Sequence, residues 1–407
     1  MLLVFYLAAG PGAWILYGYL MHNGRRKMQL LKRPPDPRWE GQTPQVTILV
    51  PAKDEGQRIR GCLLSVLGQD YPAVDVVAIN DRSKDNTGAV MDELAAADPR
   101  LTVLHTQEGS LQPGWTGKNN ALFQGQKLAK GEWLLFVDSD VVLEPDALSV
   151  SMSVVINRNY DLLSILPRLE SHSTWETLLV PLAASAASTM YLVPLCNANY
   201  MKNTAFANGQ FLLISRSAYE RMGTHEVVKD RFCEDVAIAM ILKQAGMRPR
   251  VALGSEWASV RMYSSLADIF KGWSRIYYSA KVGSPWATLG AVYFIIVDCF
   301  IFFPAIAYGI YRLINPLVGY EWTVWIWLAA AVAHFGLMVH FIGTLYEWTA
   351  NPRRNAWAWP VSLAMLLAIL FRALKMCITK KVEWRGTTYG HTMASTLQTP
   401  GGTTSNG

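Results

Sequence analysis

Residues 136–145 read FVDSDVVLEP, an apolar run that ends in Asp138 and Asp140, one residue apart. Two carboxylates held that close repel each other unless a cation or a proton lies between them. Mg2+ or Mn2+ meets that need, because hard divalent ions take carboxylate oxygens, keep several waters and complete their shell with substrate phosphates. Asp-x-Asp by itself is often only a turn, but two further apolar runs also end in acids. VPAKDEG carries Asp54 and Glu55, and INDRSKDNTG carries Asn80, Asp81 and Asp85. Carboxylates at strand ends can accept hydrogen bonds from a base or a ribose; Asp85 serves equally well as a helix cap before AVMDELAAA. GWTGKNNAL supplies glycines and Lys118 ahead of a helix. Asn119 follows the lysine, so this is not a P-loop, and Lys118 either reaches a diphosphate or simply starts the helix. RFCEDVAIAMILKQAG sets Glu234 and Asp235 in a first helical turn. Acids there stabilise the helix dipole, and in a cleft one of them can take a proton from an acceptor hydroxyl.

These groups are useful together only if one scaffold brings the ends of several strands to one edge. The apolar runs VTILVPA, VDVVAIN, LTVLHT and EWLLFVD are separated by helical patterns. After the first, Ile59, Cys62, Leu63, Val66 and Leu67 recur at three- and four-residue spacing and make one apolar helix face. AVMDELAAA and NNALFQGQKLA follow as further helices. Strand and helix by turns predict an α/β domain, residues 46–255, with a mainly parallel sheet covered on both faces.

The chain is 51% hydrophobic and only 17% charged, with 15 tryptophans, which is too apolar for an ordinary soluble protein. Residues 2–21 form an apolar run followed by Arg25, Arg26 and Lys27. Positive charge after the run, rather than before it, predicts an anchor (1–24) and not a cleaved signal peptide. That anchor leaves the next domain on the cytoplasmic side of an inner or plasma membrane. A proline-bearing linker occupies 25–45. Near the other end, 286–311, 321–347 and 356–377 are each long enough to cross a bilayer, giving a membrane region of 286–379, then a basic segment and a Gly/Thr/Ser-rich tail over 380–407. Between domain and membrane region, 256–285 reads as interfacial: Leu266, Ile269, Phe270, Trp273 and Tyr277 share one helix face, with Lys271 and Arg275 on another. The run 178–196 contains two prolines and reads as an interfacial or re-entrant helix. Either it dips into the membrane or one C-terminal stretch does not cross fully, since three later spans would put the basic 380–389 outside. His334 and His340 do not share a face and suit interhelical hydrogen bonds. The net charge of +6 is scattered or lies beside apolar stretches, with no basic track for nucleic acid. An odd set of five cysteines without a CxxC pair points to neither a disulfide framework nor a zinc cluster.

Taken in order and spacing, VPAKDEG, INDRSKDNTG, GKNNAL, VDSD and CEDVAIA resemble the family-two inverting glycosyltransferases over roughly residues 46–246. GWSRIYYSA and VEWRGTTY, beside C-terminal spans, are similar to the membrane-bound branch that glycosylates lipids, with the ceramide glucosyltransferases and the bacterial hopanoid- and carotenoid-associated enzymes. The resemblance implies a GT-A fold, a UDP-sugar donor and a lipid acceptor such as a ceramide, hopanoid or carotenoid. It implies that Asp54 or Glu55, with Asp81, holds the nucleotide; Pro51, Ala52, Ser139 and Lys118 are expected to join the donor site, and Arg275 either closes over the diphosphate from the membrane side or meets anionic lipid headgroups. It assigns Asp138 and Asp140 to Mg2+ or Mn2+ and the diphosphate, Asp235 to the general base, and Asn208, Gly209 and Gln210 to the acceptor side. Two positions depart from the family: Asp54 stands where Asn is common, and Gly272 and Ile276 stand where QxxRW has Gln and Trp. Processive polymer synthases rely on that motif and rank lower. A nucleotidyltransferase would carry a basic Gly-rich loop after the first strand, where PAKDEGQR has none. A silent scaffold would not need Asp138, Asp140 and Asp235 intact.

Overall fold

Six of the seven residues of VTILVPA are buried, as both faces of a central parallel strand must be. The computed structural model describes residues 1–28, 31, 43–280, 284–315, 322–349, 351–380, 382–384 and 387–389. Most of the expected linker (32–42) and the tail from 390 onward lie outside the described residues. The strands are β1 (Val46–Ala52), β2 (Val74–Asp81), β3 (Leu101–Thr106), β4 (Trp133–Val137), β5 (Val141–Leu143), β6 (Leu162–Leu166), β7 (Arg168–Leu169), β8 (Phe211–Ser215), β9 (Pro249–Leu253) and β10 (Ala258–Val260). Seven of them form one sheet in the order β3-β2-β1-β4-β8-β6-β9, and the pairings of β8 alone are antiparallel. The expected mainly parallel α/β domain is therefore present. A second, small sheet of β5-β10-β7 lies beyond the end of β4.

Both faces of the large sheet are covered. Ile59, Leu63 and Val66 pack on one side with Ile48 and Val76. Leu122, Ile238 and Leu242 cover the other, against Leu49 and Ile79. Each such fully buried aliphatic side chain contributes about 1.5–3 kcal/mol. The helix expected over NNALFQGQKLA starts at Gly117, capped by Thr116, and ends at Gly125 rather than Ala129. Its exit tightens: the N–H groups of Lys127, Leu128 and Ala129 bond carbonyls three residues back. The chain thereby turns toward β4.

Helix Thr174–Met190 opens with a capping box between Ser173 and Glu176. Glu176 is 2% exposed and accepts from Arg261 Nε at 2.9 Å. Burial pushes the Glu176 carboxyl up, but Arg261 and the Ser173 hydroxyl and N–H outweigh it and hold the acid at about 2. The stabilisation is present above the ordinary value of 4.5 and is lost as pH falls through about 2. Glu176→Gln should cost roughly 2 kcal/mol at neutral pH, with solvent at the Arg261 end limiting the loss. Thermal unfolding in detergent checks this; an unchanged midpoint would show that the pair contributes nothing.

Helix Leu266–Ala280 buries Ile269, Trp273 and Tyr277, the expected apolar face. Tyr277 Oη donates to the Ala183 carbonyl at 2.8 Å, and Ser274 Oγ reaches the Ile369 carbonyl at 3.2 Å. This helix is thus fixed between helices Thr174–Met190 and Trp359–Thr379.

Leu2–Gly24, Trp322–Trp348 and Arg353–Thr379 are long and apolar enough to cross a membrane. Ile15, Leu16, Trp325, Val332 and Phe371 point outward from them, suited to lipid rather than water. The expected span 286–311 is corrected: it is two helices, Pro285–Phe300 and Phe302–Ile314, interrupted at Ile301. Pro304 has no N–H for the Phe300 carbonyl four residues before it, which ends the first helix there. His334 bonds the Asp298 carbonyl at 2.7 Å and Tyr6 Oη at 3.2 Å. His340 meets Arg353 at 2.9 Å, so the two histidines bridge separate partners as expected.

Candidate active site

Because β1, β2 and β4 are parallel, their C-terminal ends share one edge, where ligands bind in open α/β sheets. β8 runs the other way and pairs Phe211 with Val137, so the residues just before it, Asn208–Gln210, lie beside Asp138. A cleft of about 500 Å³ opens at this edge. Pro51, Ala52 and Glu55 line it from the end of β1, Asp81 from β2, and Asp138, Ser139 and Asp140 from the turn after β4. Lys118 enters from the start of helix Gly117–Gly125, Asp235 from the start of helix Glu234–Gln244, and Arg275 from helix Leu266–Ala280. Asn208, Gly209 and Gln210 complete the wall.

Asp54 is the expected site residue that does not line the cleft. It is exposed, with φ 54°, and its Oδ1 accepts the Lys84 N–H at 2.7 Å while its own N–H donates to Ser83 Oγ at 3.0 Å. Asp85 similarly accepts the N–H groups of Gly56 (2.9 Å) and Thr87 (3.0 Å). Both side chains tie the loop after β1 to the loop after β2 and so hold Glu55 and Asp81 in place.

Lys118 Nζ stands 2.7 Å from Asp138 Oδ1 and 2.7 Å from Glu234 Oε1. Asp235 accepts the Gly209 N–H at 2.6 Å and the Val236 N–H at 2.8 Å, leaving the carboxylate oriented by two backbone donors. Burial, and then Glu234, push the Asp235 carboxyl up to about 7, against the opposing pull of Lys118 and those N–H groups. Glycine at 209 leaves room for this close approach, since a Cβ would sit 3.0 Å from Lys118 Nζ and 3.4 Å from Asp235 Oδ2. Asp140 is also pushed up to about 7, by burial first and then by Asp138 and Glu55, with Arg58 opposing. A divalent cation relieves that accumulation of negative charge, and every donor at this spot is a hard oxygen. Among the described residues no group of three or more His, Cys, Asp or Glu side chains converges to hold an ion. Asp138 and Asp140 supply two carboxylates at this spot, so an ion held there would draw its other ligands from water and phosphate.

Helix Leu266–Ala280 covers the cleft with Lys271, Gly272, Arg275 and Ile276. Gly272, at the Gln position of QxxRW, lies under the Tyr263 ring, which fills the space a Cβ would need. Burial pushes the Tyr263 hydroxyl up to about 12 while Arg275 acts the other way. Sequence reading missed Tyr263 altogether, as it belongs to no motif. It also missed Arg82, which turns back with φ 55° to grip Asp81 through Nε at 2.8 Å and Nη2 at 2.9 Å. Arg58, on the wall near Asp140, was in view only as part of a loop.

Residues 44–279 match the family model described as Glycosyltransferase like family 2. The 4,4'-diaponeurosporenoate glycosyltransferase of Staphylococcus haemolyticus (strain JCSC1435) is 24% identical over 66% of this chain and 69% of its own length. The protein of that name from Staphylococcus aureus (strain MRSA252) is 26% identical over 56% of this chain and 60% of its own. Among solved structures, the mannosyltransferase PcManGT of Pyrobaculum calidifontis, in complex with GDP-Man and Mn2+, superposes with a TM-score of 0.51 at 18% identity, covering 92% of this chain and 97% of that one. That likeness concerns the fold, which is GT-A. The family match takes in each acid of the cleft and the helix that covers it, and the chain belongs to the family-two glycosyltransferases.

Proposed function

We propose that this enzyme transfers one sugar from a UDP-sugar to a hydroxyl of a membrane lipid, with inversion at the anomeric carbon. The observation that carries the reading is the joining of three acids, Asp138, Asp140 and Asp235, in one cleft whose roof is a helix packed on membrane-suited helices. Glu55 and Asp81 hold the nucleotide. Asp138 and Asp140 would hold Mg2+ or Mn2+, which when bound would supply positive charge to the diphosphate leaving group. Lys118 and Arg275 add positive charge around the same diphosphate. Asp235 takes the proton from the acceptor hydroxyl, the acceptor oxygen bonds to the anomeric carbon from the face opposite the leaving group, and UDP departs with the electron pair. Asn208, Gly209 and Gln210 shape the acceptor side.

Support for a lipid acceptor comes from the membrane-suited helices and from relatives named for diaponeurosporenoate. A carotenoid, hopanoid or ceramide suits such a site. Arg25, Arg26 and Lys27 after the first apolar helix support a cytoplasmic catalytic domain on an inner or plasma membrane. Gly272 and Ile276 in place of the QxxRW residues favour single transfer over polymer synthesis. The test incubates membranes containing the enzyme and Mn2+ with radiolabelled UDP- and GDP-sugars in turn and extracts the lipid phase. Label should enter lipid from a UDP-sugar, and NMR of the product should give the inverted anomer. Label in aqueous polymer alone, or in lipid only from a GDP-sugar, would overturn the acceptor or the donor respectively.

A further inference from the structure

Away from the cleft, a second cavity of about 310 Å³ lies among the apolar helices. Its walls come from Leu2–Gly24, Thr174–Met190, Pro285–Phe300, Trp322–Trp348 and Trp359–Thr379, and they are mostly apolar, with Ser185, Thr189 and Asp298 as polar exceptions. Along Pro285–Phe300 the lining runs from Ala287 to Cys299, just over three turns or roughly 18 Å. It is therefore long as well as apolar. Phe294, one of the lining residues, is 51% exposed, so the cavity opens to the outer surface of the helices.

Two further observations point to a ligand and to its direction. Asp298 lines the cavity and is only 8% exposed. Its carbonyl accepts from Trp14 Nε1 and His334, but its carboxyl has no hydrogen-bond or ion-pair partner among the described residues. A buried polar group without a partner is costly, and a donor carried by a ligand would satisfy it. Thr189 and Met190, the last residues of helix Thr174–Met190, also line the cavity, and the next residue, Tyr191, donates through Oη to Cys233 Sγ at 3.5 Å. Cys233 is a wall residue of the cleft, two positions before Asp235. The end of helix Thr174–Met190 thus leads from the apolar cavity to the candidate base.

We propose that this cavity binds the hydrocarbon portion of the acceptor lipid, which enters laterally past Phe294 and is held with its reactive hydroxyl toward Asp235. The proposal rests on the glycosyltransferase reading above for the identity of the lipid, though not for the binding itself. The cavity then sets which chain lengths the enzyme accepts, and Asp298 favours a lipid with a hydrogen-bond donor far from the reacting group.

The direct test uses the full chain in nanodiscs with a long-chain alkyl alcohol carrying a diazirine at its far end. Irradiation and peptide mass spectrometry should map adducts to residues 294–299, around Asp298, and Ala291→Trp, which fills the cavity, should remove at least nine-tenths of them. Adducts spread over the outward-facing residues Phe303, Trp322 and Val332, unaffected by Ala291→Trp, would overturn the proposal. A kinetic measurement follows on the same variant: the ratio of kcat/KM for long- over short-chain acceptors should fall about tenfold, and an unaltered ratio counts against it. Adducts in the cavity without sugar transfer from any donor would refute the proposed reaction alone; transfer with adducts only outside would refute the cavity alone.

Discussion

Asp235→Asn should reduce sugar transfer by about 10³-fold while leaving uptake of the nucleotide sugar intact. General-base catalysis contributes on the order of 10²–10⁴-fold, and asparagine keeps the side-chain shape and, through its single amide oxygen, one of the two bonds from the Gly209 and Val236 N–H groups. The variant therefore removes proton acceptance and one backbone bond with side-chain volume unchanged. The pH profile supplies the second signature. Burial and Glu234 raise the Asp235 carboxyl to about 7. Below that value it holds its proton and cannot act as a base; above it the carboxylate is free. Wild-type transfer should rise with pH through a midpoint near that value, and the residual rate of the variant should lose the rise. Turnover by Asp235→Asn equal to wild type would remove this residue from the chemistry.

Asp138→Asn and Asp140→Asn should each lower transfer by about 10²–10³-fold, the range expected when preorganised charge stabilisation at a leaving group is lost. EDTA should abolish wild-type transfer, and Mn2+ should restore it in the wild type but not in either variant. The two substitutions differ in their effect on the empty site. Asp138 already faces Lys118 at 2.7 Å, so its loss frees the lysine to turn wholly to Glu234. Asp140 is burdened by burial and by Asp138 and Glu55, so its loss relieves strain among like charges. Asp140→Asn should consequently unfold at a higher temperature than Asp138→Asn when no metal is added. Full transfer in the presence of chelator would eliminate the proposed metal.

The parts of this architecture that could be read from the amino acids are those in which periodicity and burial have the same cause. Strands β1, β2 and β4 are largely apolar runs because both their faces are covered, and helix Leu266–Ala280 displays its buried stripe at regular spacing. The acids at strand ends were visible because they follow apolar runs directly, although Asp54 and Asp85 turn out to tie the two loops together and not to face the cleft. What was hidden depends on long-range geometry. The antiparallel direction of β8 has no sequence signature, yet it sets Asn208–Gln210 beside Asp138. Arg82 grips its own neighbour only because the backbone there turns left-handed. Lys118 was read as either a helix-start residue or a diphosphate contact; its carboxylate partners come from residues 138 and 234, far along the chain. Pro304 was in plain sight inside the 286–311 run, but a composition window registers its surroundings and not the carbonyl it leaves without a donor.

The seat of Tyr263 on Gly272 has a bearing on how this enzyme is related to the polymer-making branch. Placing glutamine at 272 alone would drive a side chain into the Tyr263 ring, and shrinking residue 263 alone would open a void over the cleft. The two positions should therefore couple in a double-mutant cycle, with Gly272→Gln better borne alongside Tyr263→Ala than by itself.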